Sequence, residues 1–361
     1  MSSSVFFGLS TIAYILAMIA YIVYLAFRNK PIGIIATTIT IAGFVSQTLA
    51  ILLRWKEFAE LGQMGWLRAV PLTNLYESLI FFVWCLILAY LIIEFRYKNR
   101  SFGAFITPVA GLALAFIDIS GMSKNIQPLV PALQSNWLLA HVMMSFISYS
   151  MFGISFSTGL MYLIVRTEKR SEPAYIFWTV MFSVFIIVLA AMGLDYMTFK
   201  LSVRSQEELI KSYLFRASFR SGSSFTVLVS WAVSVAFTFF IWRFGGLLKK
   251  IITAFNISAA TLDEITYKLI AIGFPIFTLG GLIFGAIWAD QAWGKYWSWD
   301  PKETWSLITW FLYAFYLHSR LLRGWKGKKA AIMAVMGFVA VIFTYLGVNL
   351  LLSGLHSYGS Q

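Results

Sequence analysis

The sequence predicts an all-α fold: a polytopic membrane helix bundle of about ten transmembrane helices, with both termini outside. Three observations carry that reading. The 361 residues are 60% hydrophobic and only 12% charged. Mean hydropathy is +0.78. Apolar runs of bilayer length are separated by short basic connections. This composition excludes an ordinary soluble protein. A net charge of +13 would point to nucleic acid in a soluble chain, but here Lys and Arg cluster between apolar runs, as orientation signals do. GxGxxG, Walker and HExxH patterns are absent, so no nucleotide or nucleic-acid partner is expected. The single cysteine, Cys85, lies inside an apolar run, which excludes an internal disulfide framework or CxxC pair; any thiol chemistry belongs to a partner.

The runs that can span a bilayer core are 5–27, 33–53, 75–95, 102–117, 137–165, 174–195, 223–243, 264–287, 304–322 and 330–352. None shows strand-type alternation, so each is expected to close its backbone hydrogen bonds as a helix. The first, Val5 to Phe27, is too long for a signal-peptide core and is followed by Arg28 and Lys30 rather than a cleavage site, so no cleavable leader is expected. Between the second and third runs, residues 54–74 hold Trp55, Trp66 and the start of PLTNLYES (71–78). The fourth is short and contains Gly103, Pro108 and Gly111, a pattern for a kinked or partly re-entrant helix. The sixth and seventh flank 196–222, where Ser205 and Glu208 form a capping box before Leu209, Ile210, Tyr213, Leu214 and Ala217 at helical spacing. That segment reads as an interfacial amphipathic helix or a plain connecting helix. Seventeen Lys and Arg fall on one set of connections and eleven on the other, which by the positive-inside rule puts both termini outside. The loops are too short for a separate domain, so 1–361 is read as a single integral membrane domain.

The stretch Trp288 to Trp305, WADQAWGKYWSWDPKETW, reads as an external loop rich in flat rings. Such rings form either an interfacial aromatic belt or a platform for a large, flat, hydrophobic guest, with Lys295 and Lys302 available to carboxylates on that guest. Only three histidines occur. His141, near the outer end of the fifth run, and His356, just beyond the tenth, share the depth of the aromatic loop, as two axial ligands of a porphyrin iron would. His318 lies fourteen residues after Thr304, roughly 21 Å further along the ninth run and close to the basic connection at Arg320. One membrane histidine cannot supply two axial ligands, so a second from another chain is expected.

The string from Trp293 to Trp305, WGKYWSWDPKETW, resembles the tryptophan-rich WWD signature of haem-handling membrane proteins, and its WDPKETW ending is similar to the CcsA (ResC) branch of System II cytochrome c biogenesis. PLTNLYES at 71–78, the HV pair at 141–142, YLHSRLLRGWKGKKAA at 316–331 and FTYLGVNLLLSGLHSYG at 343–359 also resemble that family. The resemblance covers much of the first 165 residues and nearly all of 264–361.

The resemblance implies transport of haem b to the outer membrane face and its presentation for covalent attachment to CxxCH apocytochromes c. It implies a subunit of a cytochrome c synthase (haem lyase) working with a CcsB (ResB) membrane partner, with thiol-reducing proteins as further candidates. By the same resemblance His141 and His356 match the outer iron ligands, Trp293, Tyr296, Trp297, Trp299, Asp300 and Trp305 the platform, and His318 the intramembrane ligand. The location implied is the bacterial plasma membrane, or the thylakoid membrane. One departure is a two-helix insert at 174–243 with its external segment. Two other classes remain: a haem exporter or System I-like haem-delivery protein resembling CcmC or CcmF, and a cytochrome b-like electron carrier, which would hold both ligands of each haem inside the bundle.

Overall fold

A computed structural model describes residues 3–62, 70–72, 74–119, 135–201, 224–253 and 257–348. Among them the chain forms helices and no strand, as the apolar runs predict. The first two, α1 (Ser3–Phe27) and α2 (Lys30–Gly62), pack as an antiparallel pair turned at Arg28, which adopts φ 56°. Tyr14, Ala17 and Tyr21 of α1 are buried in that contact, and the Tyr14 hydroxyl donates to Gln47 Oε1 at 2.8 Å. Gln47 in turn donates to the carbonyl of Ile80 at 2.8 Å. Hydrogen bonds between helices are one way a bundle gains cohesion where lipid removes the hydrophobic driving force.

The next pair is α3 (Leu75–Tyr97) and α4 (Gly103–Ile119), joined by a 3₁₀ turn at Arg100–Phe102. Asn74 caps α3 by accepting from the Glu77 amide at 2.9 Å. The fourth run is a continuous helix that carries Pro108 within it, and no re-entrant turn occurs over 103–119.

The spine of the molecule is α5 (Asn136–Arg166), buried along most of its length. Small residues recur among its buried positions: Ser148, Gly153, Ser155, Ser157, Thr158 and Gly159. Gly153 lets Phe338 approach closely, and Gly159 admits the backbone of Ala331. The hydroxyls return hydrogen bonds to carbonyls three or four residues back, as from Ser155 to Phe152 and Thr158 to Ile154.

The segment 174–243 falls on α6 (Pro173–Leu201) and α7 (Ser224–Thr253). Buried Trp178 donates to Thr167 at 2.8 Å, tying α6 to the C-terminal end of α5, and Tyr175 donates to the carbonyl of Trp242 at 2.8 Å, tying α6 to α7. The rest of α7 is peripheral and exposes Leu228, Trp231, Val233, Val235 and Phe239. The capping-box segment at 202–223 lies outside the described residues.

The last third holds α8 (Ala259–Phe277), a π-helical turn (Thr278–Phe284), α9 (Gly285–Trp293), α10 (Pro301–Leu322), α11 (Lys328–Ile342) and a second π-helical turn (Phe343–Gly347). At mid-bundle the rings of Phe152 and Tyr313 stack at 3.7 Å with a 13° interplanar angle, both fully buried. The absent side chain of Gly337 makes room for Tyr313, and Phe277 closes on Phe152 edge to face.

Every predicted run coincides with a helix. Seven of the described helical stretches are long and apolar enough to cross a membrane, while α4 and α6 offer shorter apolar stretches. With the 22-residue α10 these make a polytopic helical membrane bundle. Several boundaries differ from the sequence reading: α2 continues nine residues past Leu53 to Gly62, α6 continues to Leu201, α7 continues ten residues past Arg243 to Thr253, and the run read as 264–287 spans 259–293. These extensions carry polar residues that hydropathy alone trims away.

The connections with the denser basic charge share one end and are braced there. Glu94, 3% exposed, accepts from Tyr21 at 2.9 Å, Thr37 at 2.6 Å and Tyr90, with Arg100 Nε at 3.6 Å. Arg320 makes a two-pronged bond to Asp263 at 2.8 and 2.6 Å, and the Gly327 amide adds a third at 3.3 Å. Lys328 pairs with Glu172. At the opposite end Arg54 and Glu77 form a buried ion pair at 2.8 Å, with side chains 6% and 1% exposed.

Candidate functional site

His141 is the sixth residue of α5, whose start is set by Ser135: its Oγ accepts from the Trp137 amide at 3.2 Å and donates to Gln291 Oε1 at 2.8 Å. That bond ties the first turn of α5 to the last turn of α9, so the histidine and the tryptophan-rich stretch share one end of the bundle. Trp137 meets Phe284 at 5.2 Å between centroids. The π-helical turn 278–284 shifts the backbone ladder by a residue, a feature frequent at functional sites. There Gly280 presents its carbonyl to His141 Nδ1 at 2.8 Å. A carbonyl only accepts, so Nδ1 carries a proton in this contact. The imidazole lies nearly parallel to the buried indole of Trp288, at 6.3 Å and 16°.

The tryptophan-rich stretch is more helical than the sequence reading of a loop over 288–305. Helix α9 runs through Trp293, where Gly294 at φ 70° ends it, and α10 begins at Pro301. The connecting loop is therefore 294–300. Trp288 is a buried helix residue in contact with Trp293 at 4.8 Å, and Trp305 sits in the second turn of α10. The loop itself displays Tyr296 and Trp299, 61% and 69% exposed, with half-buried Trp297 edge-on to Trp299 at 5.9 Å. Trp299 adopts φ 59°, a left-handed conformation that costs a non-glycine residue about 1–3 kcal/mol.

Asp300 and Glu303 have a definite local role. Asp300 caps α10 by accepting from the Lys302 amide at 3.0 Å. Glu303 Oε2 reaches back to the amides of Ser298 at 2.7 Å and Asp300 at 3.3 Å and to the Ser298 hydroxyl at 3.0 Å. With Pro301 in the first turn, DPKE is a complete capping box. Lys302, outside the apolar span 304–322, has its amine pushed down to about 8 by burial, against the opposing pull of Asp300.

Trp305 links this end to the last helix. Its ring contacts Phe343 at 4.2 Å and its carbonyl accepts from Thr344 at 3.1 Å. Tyr345 packs edge-on to Phe146 of α5 at 5.1 Å. The second π-helical turn thus lies over the His141 helix. His356 lies outside the described residues, which stop in this helix at Val348.

His318 does not join His141. It is exposed near the braced end of α10, in a stripe of Ile308, Phe311, Phe315 and Leu322 at three- and four-residue spacing. Its near neighbour Arg320 is engaged by Asp263. Sequence reasoning missed the Arg54–Glu77 pair, which lines a cavity of about 70 Å³ with Phe7, Trp55, Phe81 and Met143 beside the PLTNLYES segment. The Glu94 network was missed as well. Among the described residues no group of three or more His, Cys, Asp and Glu is placed to hold a metal ion.

A multi-pass helical bundle whose His141 is hydrogen-bonded through Nδ1 beside an aromatic cluster defines a class, that of polytopic helical membrane proteins. The cytochrome C assembly protein family matches residues 72–356. The cytochrome c biogenesis protein CcsA of Gloeobacter violaceus is 37% identical over 350 residues, covering 96% of this chain and 93% of its own length. CcsA of Microcystis aeruginosa is 37% identical over 356 residues, 97% and 95% of the two chains. CcsA of Marchantia polymorpha is 36% identical over 342 residues, 93% and 90%. This chain belongs to the CcsA family of cytochrome c assembly proteins, and its role falls in cytochrome c biogenesis.

Proposed function

We propose that this chain carries haem b to the outer membrane face and presents it there for attachment to CxxCH apocytochromes c, as a cytochrome c synthase subunit working with a CcsB-type partner. The observation that carries the reading is the His141 geometry. Gly280 accepts from His141 Nδ1, and a ring nitrogen hydrogen-bonded in this way is the usual companion of an imidazole that ligates iron through its other nitrogen. The neighbouring indoles and the exposed Tyr296 and Trp299 provide flat, apolar surface for a porphyrin face. Lys302, its basicity lowered by burial, would gain a countercharge from a carboxylate of the guest.

In this reading His356 supplies the opposite axial ligand, and Trp293, Trp297, Trp305 and Asp300 shape and hold the platform. His318 is the inner ligand. An ionisable ring on a lipid-facing stripe is costly unless another protein covers it, and that cost supports a partner chain supplying the second inner imidazole. The basic, braced end is then cytoplasmic or stromal and the tryptophan end faces the periplasm or thylakoid lumen. Attachment adds each cysteine S–H across a haem vinyl C=C bond: a C–S bond forms, the proton goes to the vinyl carbon, and no electrons are gained or lost. This chain orients the vinyl edge, and bis-histidine ligation keeps oxygen from the iron until the substrate histidine replaces one ligand.

The test is to purify the chain with its membrane partner and record haem content and optical spectrum for His141→Ala and His356→Ala. Each variant is expected to lose the outer haem and cytochrome c maturation. Full haem content with undiminished maturation in both would overturn the proposal.

A further inference from the structure

We propose that Gly285 is a positioning residue for the His141 imidazole, acting together with the π-helical turn that precedes it. The inference rests on the reading of His141 as an iron ligand only for its functional consequence. Gly285 has ordinary right-handed helical angles, φ −62° and ψ −44°, so its backbone does not require glycine, and alanine in a helix is favoured over glycine by about 1 kcal/mol. Space is what excludes a side chain. A Cβ built on Gly285 would stand 2.8 Å from His141 Nδ1, 2.9 Å from Cε1 and 3.7 Å from Cγ, and these are its three nearest atoms.

The imidazole thus fits between two features of one segment. The Gly280 carbonyl receives Nδ1–H, and one turn on, the bare Cα of Gly285 leaves the slot into which the same edge of the ring slides. Gly280 differs in kind: a Cβ there would fall 2.2 Å from Met144 Cβ, so its smallness serves helix packing. Gly285 is set apart because its missing methyl faces the imidazole. A methyl there must push the ring off the carbonyl, releasing the Nδ1 proton and letting the other tautomer form, which turns the lone pair away from Nε2.

The test compares the full chain with Gly285→Ala, His141→Ala and the double variant. With only three histidines in the chain, nitrogen-15 labelling of histidine reads the tautomer directly in haem-free protein, with His141→Ala assigning the signal. The parent is expected to be Nδ1-protonated and Gly285→Ala to be a tautomer mixture. Titration with ferric haem should show binding weakened about 10- to 100-fold in Gly285→Ala, the range found when the partner of a ligating histidine is lost. Adding Gly285→Ala to His141→Ala should leave the thermal midpoint unchanged or higher, because the ring it displaces is gone. An unchanged tautomer in Gly285→Ala would overturn the proposal. So would an equal loss of thermal stability from Gly285→Ala with and without His141. If His141→Ala itself binds ferric haem like the parent, the ligand reading fails, and the tautomer measurement still decides the role of Gly285.

Discussion

Removing the Glu303 carboxylate should loosen the loop that carries the exposed rings while leaving the bundle intact. In the structure Glu303 Oε2 alone receives three donors: Ser298 N at 2.7 Å, Ser298 Oγ at 3.0 Å and Asp300 N at 3.3 Å. A hydrogen bond to a charged acceptor contributes about 1.5–3 kcal/mol when sheltered and less when exposed. Ser298 is exposed and the bond to Asp300 is long, so the set is worth about 2 kcal/mol rather than a simple sum. At 1.4 kcal/mol per decade that is a roughly thirty-fold rise in the open-loop population of Glu303→Ala. The assay is hydrogen exchange resolved to single amides. Ser298 and Asp300 should lose about thirty-fold protection, while the Lys302 amide, held by Asp300 at 3.0 Å, keeps most of its own. Glu303→Gln, which retains one carbonyl acceptor, should lie between. Cytochrome c maturation should fall in the same order. Unchanged exchange at Ser298 and Asp300 in Glu303→Ala would refute the claim that this carboxylate holds the loop.

Arg54→Met should cost about 3 kcal/mol or more, because it leaves Glu77, 1% exposed, charged without its cation. Arg54→Met with Glu77→Leu should recover most of that loss, and a double variant no better than the single one in detergent melting would contradict the pairing. At the opposite end, bonds from Lys328 and from the amides of Lys169 and Glu168 hold the exposed Glu172 carboxyl down to about 2, against an ordinary 4.5. A lowered folded value stabilises above the ordinary one and is lost as pH falls through the folded one. The melting advantage of the parent over Glu172→Gln should therefore be complete above about pH 4.5 and shrink toward pH 2; a difference that grows with acid would reverse the assignment.

The helices were legible because each apolar run is long enough to span, and that signal is carried by many residues at once. What stayed hidden was non-local or short. Arg54 and Glu77 are 23 positions apart, and both read as charges at helix ends. Glu94 fell unremarked within the apolar run 75–95, although it collects partners from two other helices and the following turn. Asp300 entered only as part of the platform that the resemblance implies, whereas its spacing with Pro301 and Glu303 is that of a helix start, and Gly294 marked the helix end before it. These two punctuation marks bounded the loop at 294–300, but the density of rings outweighed them. The π-helical turn at TLGGLIF left no pattern beyond paired glycines, because its departure from the α-helix is a register shift rather than a change of residue type.

The stacked pair of Phe152 and Tyr313, sealed by Phe277 and packed against Gly337, constrains the haem route proposed above. Among the described residues it fills the middle of the bundle with close-packed rings. On that proposal, haem moving from His318 toward His141 would follow the outer flank of α10, along Phe315, Phe311 and Ile308, with the membrane or a companion protein as the far wall.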